Sequence, residues 1–285
     1  MAGVTTREMR SGDTEACAAV YAESLNGLRL ARGLPARQFP DAEATIAHLL
    51  NTDPGGAFVA EEAGEVVGFA QSARRDDLWL LGKLFVRPGA QGSGVGRRLL
   101  DDAVAYGRDL PAGIICSTAD PRALRSYARL PAFELHPMLT ASGISRHERI
   151  GSFDGVRDGT AEDLDFAARV DRLIRRGAHG PDLTHLHDHG SKFLMIDGRG
   201  YALAGESGPQ VVAALDEEAA ARLLCACLRS CEDGSEVLIP RVGAGHQWAL
   251  HVALDAGLRV SPGGPLAIRD NAAASSAYLP DNVFC

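Results

Sequence analysis

The run Leu84-Phe85-Val86-Arg87-Pro88-Gly89-Ala90-Gln91-Gly92-Ser93-Gly94-Val95-Gly96 constrains this chain more than any other stretch. Leu78–Val86 before it reads as a strand. After it, Leu99, Leu100, Ala103 and Val104 form one apolar helical stripe that starts near Arg97 and that Gly107 can close. Glycines spaced two apart stand directly between the two elements. Glycine takes positive φ and lets another group approach the backbone closely. The first turn of a helix leaves N–H groups unpaired and carries partial positive charge, so such a junction favours an anion. Arg97 and Arg98 add to the case. Two cations at a helix N-terminus oppose its dipole by up to about 1 kcal/mol each, and a bound polyphosphate would reverse that sign. The turn is not a mononucleotide loop, because no Gly-Lys-Ser/Thr follows the glycines. Nor does it keep the dinucleotide spacing, since Val95 and Arg97 flank Gly96 and no suitable acid ends a second strand about 20 residues on.

The elements around this junction form a plan that is repeated. A short first strand leads to helical periodicity in Val20, Tyr21, Leu25 and Leu28, and again in Ile46, Leu49 and Leu50. Gly33, Pro35 and Pro40 place a loop between the two helices. Ala57–Glu61 and Val66–Ala73 read as a hairpin turning at Gly64, and Ile114–Ser117 as a short buried strand. Asp120-Pro121 gives an N-cap and a first helical proline. A similar order returns later: a helix over Ala161–Arg176, strands Lys192–Ile196 and Tyr201–Ala204 about Asp197-Gly198, and a strand Gln210–Leu215. Helix Asp216–Cys231, strand Glu236–Ile239, helix His246–Ala256 and a last strand at Tyr278-Leu279-Pro280 complete it. The expected class is α/β (α+β), with each half a mixed, mostly antiparallel sheet flanked by helices. The expected division is 1–148 and 149–285, with a linker inside Ala141–Asp158.

Composition narrows the partners. A net charge of −8 repels phosphate backbones, so nucleic acid is not expected. No apolar run reaches the ~18–20 residues of a membrane span, and the first residues lack a signal-peptide pattern. Six cysteines without CxxC spacing suit reduced thiols, and a cytoplasmic protein is expected.

The pattern Val86-x-Pro88-x-x-Gln91-Gly92-x-Gly94-x-Gly96 resembles the acetyl-CoA signature of the GCN5-related N-acetyltransferases (GNAT), over roughly residues 4–140. Asp120 to Phe133 resembles the family's second motif: Ala123 and Tyr127 fit, Asp120 replaces an Asn, and Leu130-Pro131-Ala132-Phe133 inserts a residue and lacks a glycine. The resemblance implies two tandem acyl-CoA N-acyltransferase-like units, of which the first moves an acetyl group from acetyl-CoA, as co-substrate, to a small-molecule amine by direct attack. It implies cofactor contacts at Phe85, Val86, Gln91, Gly92, Ser93, Gly94, Val95, Gly96, Arg97 and Asp120. It also implies polarisation of the acyl carbonyl by the N–H of Phe85 or Val86, and a proton donor to the leaving thiolate at Tyr127. Candidate bases are Glu23, Glu43, Asp76 and Asp77, with an acceptor against Leu25–Pro40. In the second half, Leu215-Asp216-Glu217-Glu218 replaces the glycines with carboxylates and would repel pyrophosphate, so that half reads as degenerate. The assembly would be a monomeric pseudo-dimer or a homodimer.

Two other patterns were weighed against this one. His185-x-His187-Asp188-His189, with His179 and Asp182, could share a cation if the histidines alternate along a strand; a polar loop is the plainer account, and no metal is expected. Cys225, Cys227 and Cys231 on one helix, and Cys116 on its strand, read as packing. The rival functions are a non-catalytic acyl-CoA-binding or sensing module and a metal-binding structural protein.

Overall fold

The computed structural model describes residues 3–270, 272 and 275–285. The chain packs as two compact units, Met1–Arg74 with Trp79–Leu110, and Arg75–Leu78 with Pro111–Cys285.

The first unit begins with β1 (Thr5–Glu8), α1 (Thr14–Leu30) and α2 (Ala42–Thr52), followed by β2 (Ala57–Glu62), β3 (Glu65–Arg75), β4 (Leu78–Val86) and α3 (Val95–Tyr106). The strands lie in the order β1-β2-β3-β4, with Thr5 opposite Glu61 and Ala57 opposite Gln71. Val66–Ala73 of β3 is buried throughout, as in a strand covered on both faces. Cys17 and Val20 of α1 and Ile46 and Leu50 of α2 pack on Val59 and Phe69 of the sheet. α3 buries Val95, Leu99, Leu100 and Ala103. Its end is fixed by Trp79, whose indole N–H donates to the Ala103 carbonyl at 3.1 Å. A Cβ at Gly107 would come within 1.9 Å of that indole, so only glycine fits there.

The second unit continues with β5 (Ala112–Cys116), α4 (Pro121–Tyr127), β6 (Glu134–His136), β7 (Leu139–Ile144) and β8 (Arg157–Asp158). Next come α5 (Leu164–Arg175), α6 (Pro181–Asp188), β9 (Lys192–Ile196), β10 (Gly200–Gly205), β11 (Gly208–Ala214) and α7 (Glu217–Ser230). β12 (Glu236–Val242), α8 (Gln247–Asp255), β13 (Arg259–Pro262), β14 (Leu266–Arg269) and β15 (Tyr278–Leu279) end it. Element by element, β8 to β14 repeats the succession β1 to β7. The order β8-β9-β10-β11 also matches β1-β2-β3-β4. α7 and α8 close the larger core, with Leu223, Leu224, Leu228, Trp248 and Ala253 against Val212, Val237 and Ile239.

The two halves of the sequence trade a strand. β14 lies between β5 and β6, with Ala267 opposite both Ile115 and Leu135. Reciprocally, β7 lies between β12 and β13, with Ala141 opposite both Ile239 and Val260. Residues 141–144 of the range expected to hold the linker, Ala141–Asp158, thus form part of a central strand, and the stretch between β7 and β8 lies after them. Their small side chains suit that place: a Cβ at Gly143 would stand 3.3 Å from Leu258. The exchange also explains why the packing units fall differently from a division at 148/149. Among the described residues, no helix is long and apolar enough to cross a membrane.

Candidate functional site

β4 leaves the first unit's sheet at Val86, and a single turn of 3₁₀ helix over Pro88–Ala90 redirects the chain into α3. Gly92 and Gly94 both take positive φ, 82° and 88°, and Gly94 is the N-cap. The first bond closing α3 runs from the Arg98 N–H to the Gly94 carbonyl at 3.2 Å. Ahead of it, the N–H groups of Gly92 through Arg97 find no partner among the described residues, and no side chain caps the helix. A Cβ at Gly89, Gly92 or Gly94 would meet nothing within 4 Å. These glycines are therefore not required by protein packing: they keep a row of unpaired donors open to the outside.

The rest of the turn is braced. The Gln91 side-chain amide donates back to the Val86 carbonyl at 2.8 Å, and Ser24 of α1 donates to the same oxygen at 2.9 Å. Ser93 Oγ donates to the Ala90 carbonyl at 2.7 Å. Gln91 and Ser93 thus hold the loop shape, while Val95 is buried under it. Both cations sit at the surface with partners: Arg97 Nε reaches Asp101 at 2.8 Å, and Arg98 donates to the Val4 carbonyl at 2.7 Å. Phe85 packs edge-on to Tyr21, 4.7 Å between centroids, and Tyr21 meets Phe39 at 5.2 Å. Buried Lys83 lies 4.5 Å over the same Tyr21 ring. This aromatic wall brings together α1, the loop after it and β4. Sequence reasoning missed the contribution of Ser24, which lies 62 residues from its acceptor and carries no local signal.

Three of the four candidate bases have carboxylates with partners. Glu23 pairs with Arg87 at 3.0 Å, and Glu43 accepts from Thr14 at 3.0 Å. In the second unit, Asp76 pairs with Arg172 at 2.9 Å and accepts the Ala178 N–H at 2.9 Å. Asp77 is held through its backbone, whose N–H donates to the Arg176 carbonyl at 3.3 Å.

Asp120 and Tyr127 bound α4. Asp120 caps it, accepting the Arg122 N–H at 2.9 Å, and also takes the Arg122 guanidinium at 2.8 Å, with Pro121 in the first helical position as expected. Tyr127 is the last residue of α4 and is 5% exposed. Burial, with the charge of Asp120 adding to it, pushes its hydroxyl well above the ordinary phenol range, so it keeps its proton at neutral pH. Beyond it, Ala132 takes φ 63°, a left-handed conformation at the point where the resemblance expects glycine.

Residues 25–130 match the model of the acetyltransferase (GNAT) family. That match marks a GNAT acetyltransferase-like stretch within the first half of the chain. No curated protein matches it in sequence. Among solved structures, a putative acetyltransferase from Pyrococcus horikoshii is similar at TM-score 0.76 and 15% identity, over 99% of this chain and 95% of the other. A GCN5-related N-acetyltransferase from Sphaerobacter thermophilus is similar at 0.59 and 16%, over 93% and 95%. One from Kribbella flavida is similar at 0.58 and 16%, over 94% and 72%. At these identities the likenesses establish the fold, an α+β arrangement of mixed sheets flanked by helices, along the whole chain.

In the second half of the chain, the matching helix N-terminus is closed. Asp216 caps α7, accepting the Ala219 N–H at 2.9 Å. Arg199 bonds Asp216 at 3.0 Å and Glu218 at 3.0 Å. The Arg199 hydrogen bond holds both carboxyls below their usual range. The strand edge nearby is also taken: β15 pairs with β11, Leu279 opposite Val212 and Tyr278 opposite Ala213.

The histidine-rich segment is α6, not a strand or a loop. Pro181 starts it as a first helical residue, and the expected alternation of His185, His187 and His189 along a strand is absent. His185 and His189 instead stack, one turn apart, at 4.2 Å. His187 and His189 bond the Ser191 and His185 carbonyls at 3.1 and 2.8 Å. His179 is wholly buried, 2.9 Å from Asp171 and 2.9 Å from the Tyr201 hydroxyl. Asp182 forms a two-pronged pair with Arg75, both bonds 2.8 Å. Among the described residues, no three His, Cys, Asp or Glu side chains are gathered to hold a metal ion.

Proposed function

We propose that the first half of the chain binds the pyrophosphate of acetyl-CoA at Gln91–Gly96 and transfers the acetyl group to a small-molecule amine. The observation that carries this reading is the open row of N–H groups from Gly92 to Arg97, uncapped at the positive end of α3. The similarity of residues 25–130 to a family that uses acetyl-CoA supports this chemistry.

In this reading Gly92, Ser93, Gly94, Val95, Gly96 and Arg97 offer backbone donors to phosphate oxygens, and Gln91 holds the loop to Val86. The amine nitrogen attacks the thioester carbonyl, and the C–S bond breaks as coenzyme A leaves. Charge that develops on the carbonyl oxygen is met by the N–H of Phe85 or Val86. Tyr127, protonated at neutral pH, gives its proton to the departing thiolate. Asp120 starts the helix that Tyr127 ends and acts by positioning it. No base is assigned, because each candidate acid or its backbone already has a partner. The second half, 149–285 in the proposed division, binds no cofactor: carboxylates cap its turn and β15 covers the edge of β11.

Calorimetry with coenzyme A, followed by thiol release from acetyl-CoA across a panel of amines, tests the proposal. Binding and amine-dependent release are expected. Binding without release from any amine would leave an acyl-CoA-binding module. No binding would end the reading altogether.

A further inference from the structure

Two cysteines read from the sequence as packing meet in the second unit. Cys285 Sγ donates a hydrogen bond to Cys116 Sγ at 2.9 Å, across 169 residues of chain. Two buried arginines face this pair electrostatically: Arg175 at the end of α5, 0% exposed, and Arg241 on β12, 7% exposed. Each spends one amino group on the last segment, Arg175 on the Phe284 carbonyl at 2.8 Å and Arg241 on Asn282 Oδ1 at 2.5 Å. Their remaining guanidinium nitrogens, Nε and Nη1 on both, have no hydrogen-bond partner among the described residues. Buried cations in this state call for a nearby anion. Arg175 feels the buried carboxylate of Asp171 one turn away, a group already shared by His179 and the Tyr201 hydroxyl, and Asp281, the carboxylate closest to Cys285 in sequence, accepts the N–H groups of Val283 and Phe284 at 2.6 and 2.9 Å.

We propose that Cys116 and Cys285 are a reactive thiol pair that a hydroperoxide closes into a disulfide, with Cys116 the attacking sulfur. Burial opposes ionisation of Cys116, yet the bond from Cys285 and the charges of Arg241 and Arg175 outweigh it and hold the thiol below its usual range. Cys285 moves the other way, raised by burial and by its neighbour, and serves as the protonated resolving thiol. Burial raises Cys17 to about 12 and Cys225 to about 11, which leaves them poor nucleophiles. Cys116 also keeps partial exposure, so a small oxidant can reach it. The Cys116 thiolate attacks a peroxide oxygen: an S–O bond forms, the O–O bond breaks and hydroxide leaves. Cys285 then attacks that sulfur, forming the S–S bond, and the S–O bond breaks with loss of water. In sum, two thiols and one hydrogen peroxide give one disulfide and two waters. The product would fasten residues 278–285, including β15, to β5.

The test is one molar equivalent of hydrogen peroxide on the full folded chain, then maleimide blocking under denaturing conditions and peptide mapping. A cross-linked Cys116–Cys285 peptide pair is expected, with free thiols falling from six to four and far less of this pair from chain unfolded in urea before oxidation. Cys285→Ser should stop at a sulfenic acid on Cys116 that dimedone traps, and Arg241→Gln should slow cross-linking roughly tenfold as the thiolate loses a cation. Recovery of Cys116 and Cys285 as maleimide adducts overturns the proposal, whatever happens at the other four thiols. Equal cross-link yields from folded and unfolded chain overturn it as well. Should either variant fail to fold, the map of the unaltered chain decides alone.

Discussion

The N-termini of α3 and α7 occupy matching places in the repeated plan, and the chain treats them oppositely. α3 begins at Gly94, with positive φ, no side-chain cap and unpaired N–H groups. α7 begins at Asp216, whose carboxylate takes the Ala219 N–H and is itself clamped by Arg199. A glycine N-cap gives up a few tenths of a kcal/mol that an Asp or Ser cap would supply. The first half forgoes that stabilisation where the second half keeps it. The difference supports the proposed reading, in which the open end serves a ligand: nothing in the protein packs into the space beside Gly92 and Gly94. The helices that follow differ in the same sense: α4 ends in Tyr127, whereas α8 ends in Asp255.

The sharpest way to break this contrast is Gly94→Val. A β-branched residue at φ 88° is strained, and its side chain would stand over the donors. Coenzyme A affinity measured by calorimetry should fall about 100-fold or more, which corresponds to roughly 2.7 kcal/mol. Unchanged affinity would show that the open turn is not the phosphate site. Tyr127→Phe comes next. Turnover should fall roughly 10- to 100-fold, towards the lower end of general acid effects, with coenzyme A binding unchanged. Equal turnover by both proteins would remove Tyr127 from the mechanism.

On the other side of the comparison, Asp216→Ala should lower the unfolding free energy by about 0.5–2 kcal/mol in urea titrations, without creating a coenzyme A site. The charge on Asp216 can be separated from its cap with Asp216→Asn. Arg199 depresses the folded carboxyl, so the ionised form stabilises the protein above the ordinary range near ~3.9 and loses that effect as pH falls through the folded value. The stability gap between wild type and Asp216→Asn should therefore be flat from neutral pH down to about 5, stay within about 1 kcal/mol because the pair is solvent-screened, and shrink in stronger acid. The smallest effect is expected from Arg97→Gln. Its partner Asp101 is exposed, so stability should change by less than about 0.5 kcal/mol and coenzyme A affinity only a few-fold. A loss as large as that of Gly94→Val would move the binding energy from backbone to side chain.

Local chemistry made much of this legible in the sequence. Asp120-Pro121 capped its helix, Gly107 closed α3, and Lys192–Ile196 formed its strand with the expected bounds. The glycine turn was readable because positive φ and open space leave glycine as the natural residue. What escaped depends on partners far apart in the chain. β6, β7, β13 and β14 are three to six residues long and take their strand character from their neighbours, so the end of β7 fell inside the stretch Ala141–Asp158 expected to hold the linker. The α6 histidines read as a polar loop because helical character there rests on Leu183 and Leu186 packing inward, a two-residue signal. The Ser24 bond to Val86 and the Cys116–Cys285 contact leave no local trace at all.

The strand trade sets a timetable for biogenesis. β5 and β6 have emerged by His136, but the strand between them, β14, spans Leu266–Arg269. At about 5–20 residues per second, a ribosome would need roughly seven to twenty-seven seconds to supply it. Throughout that wait the edges of β5 and β6 that face β14 stand open, while β7 lacks β12 until Val242 is made and β13 until Pro262 is made. A nascent chain built this way has reason to be met by a chaperone before its synthesis is finished.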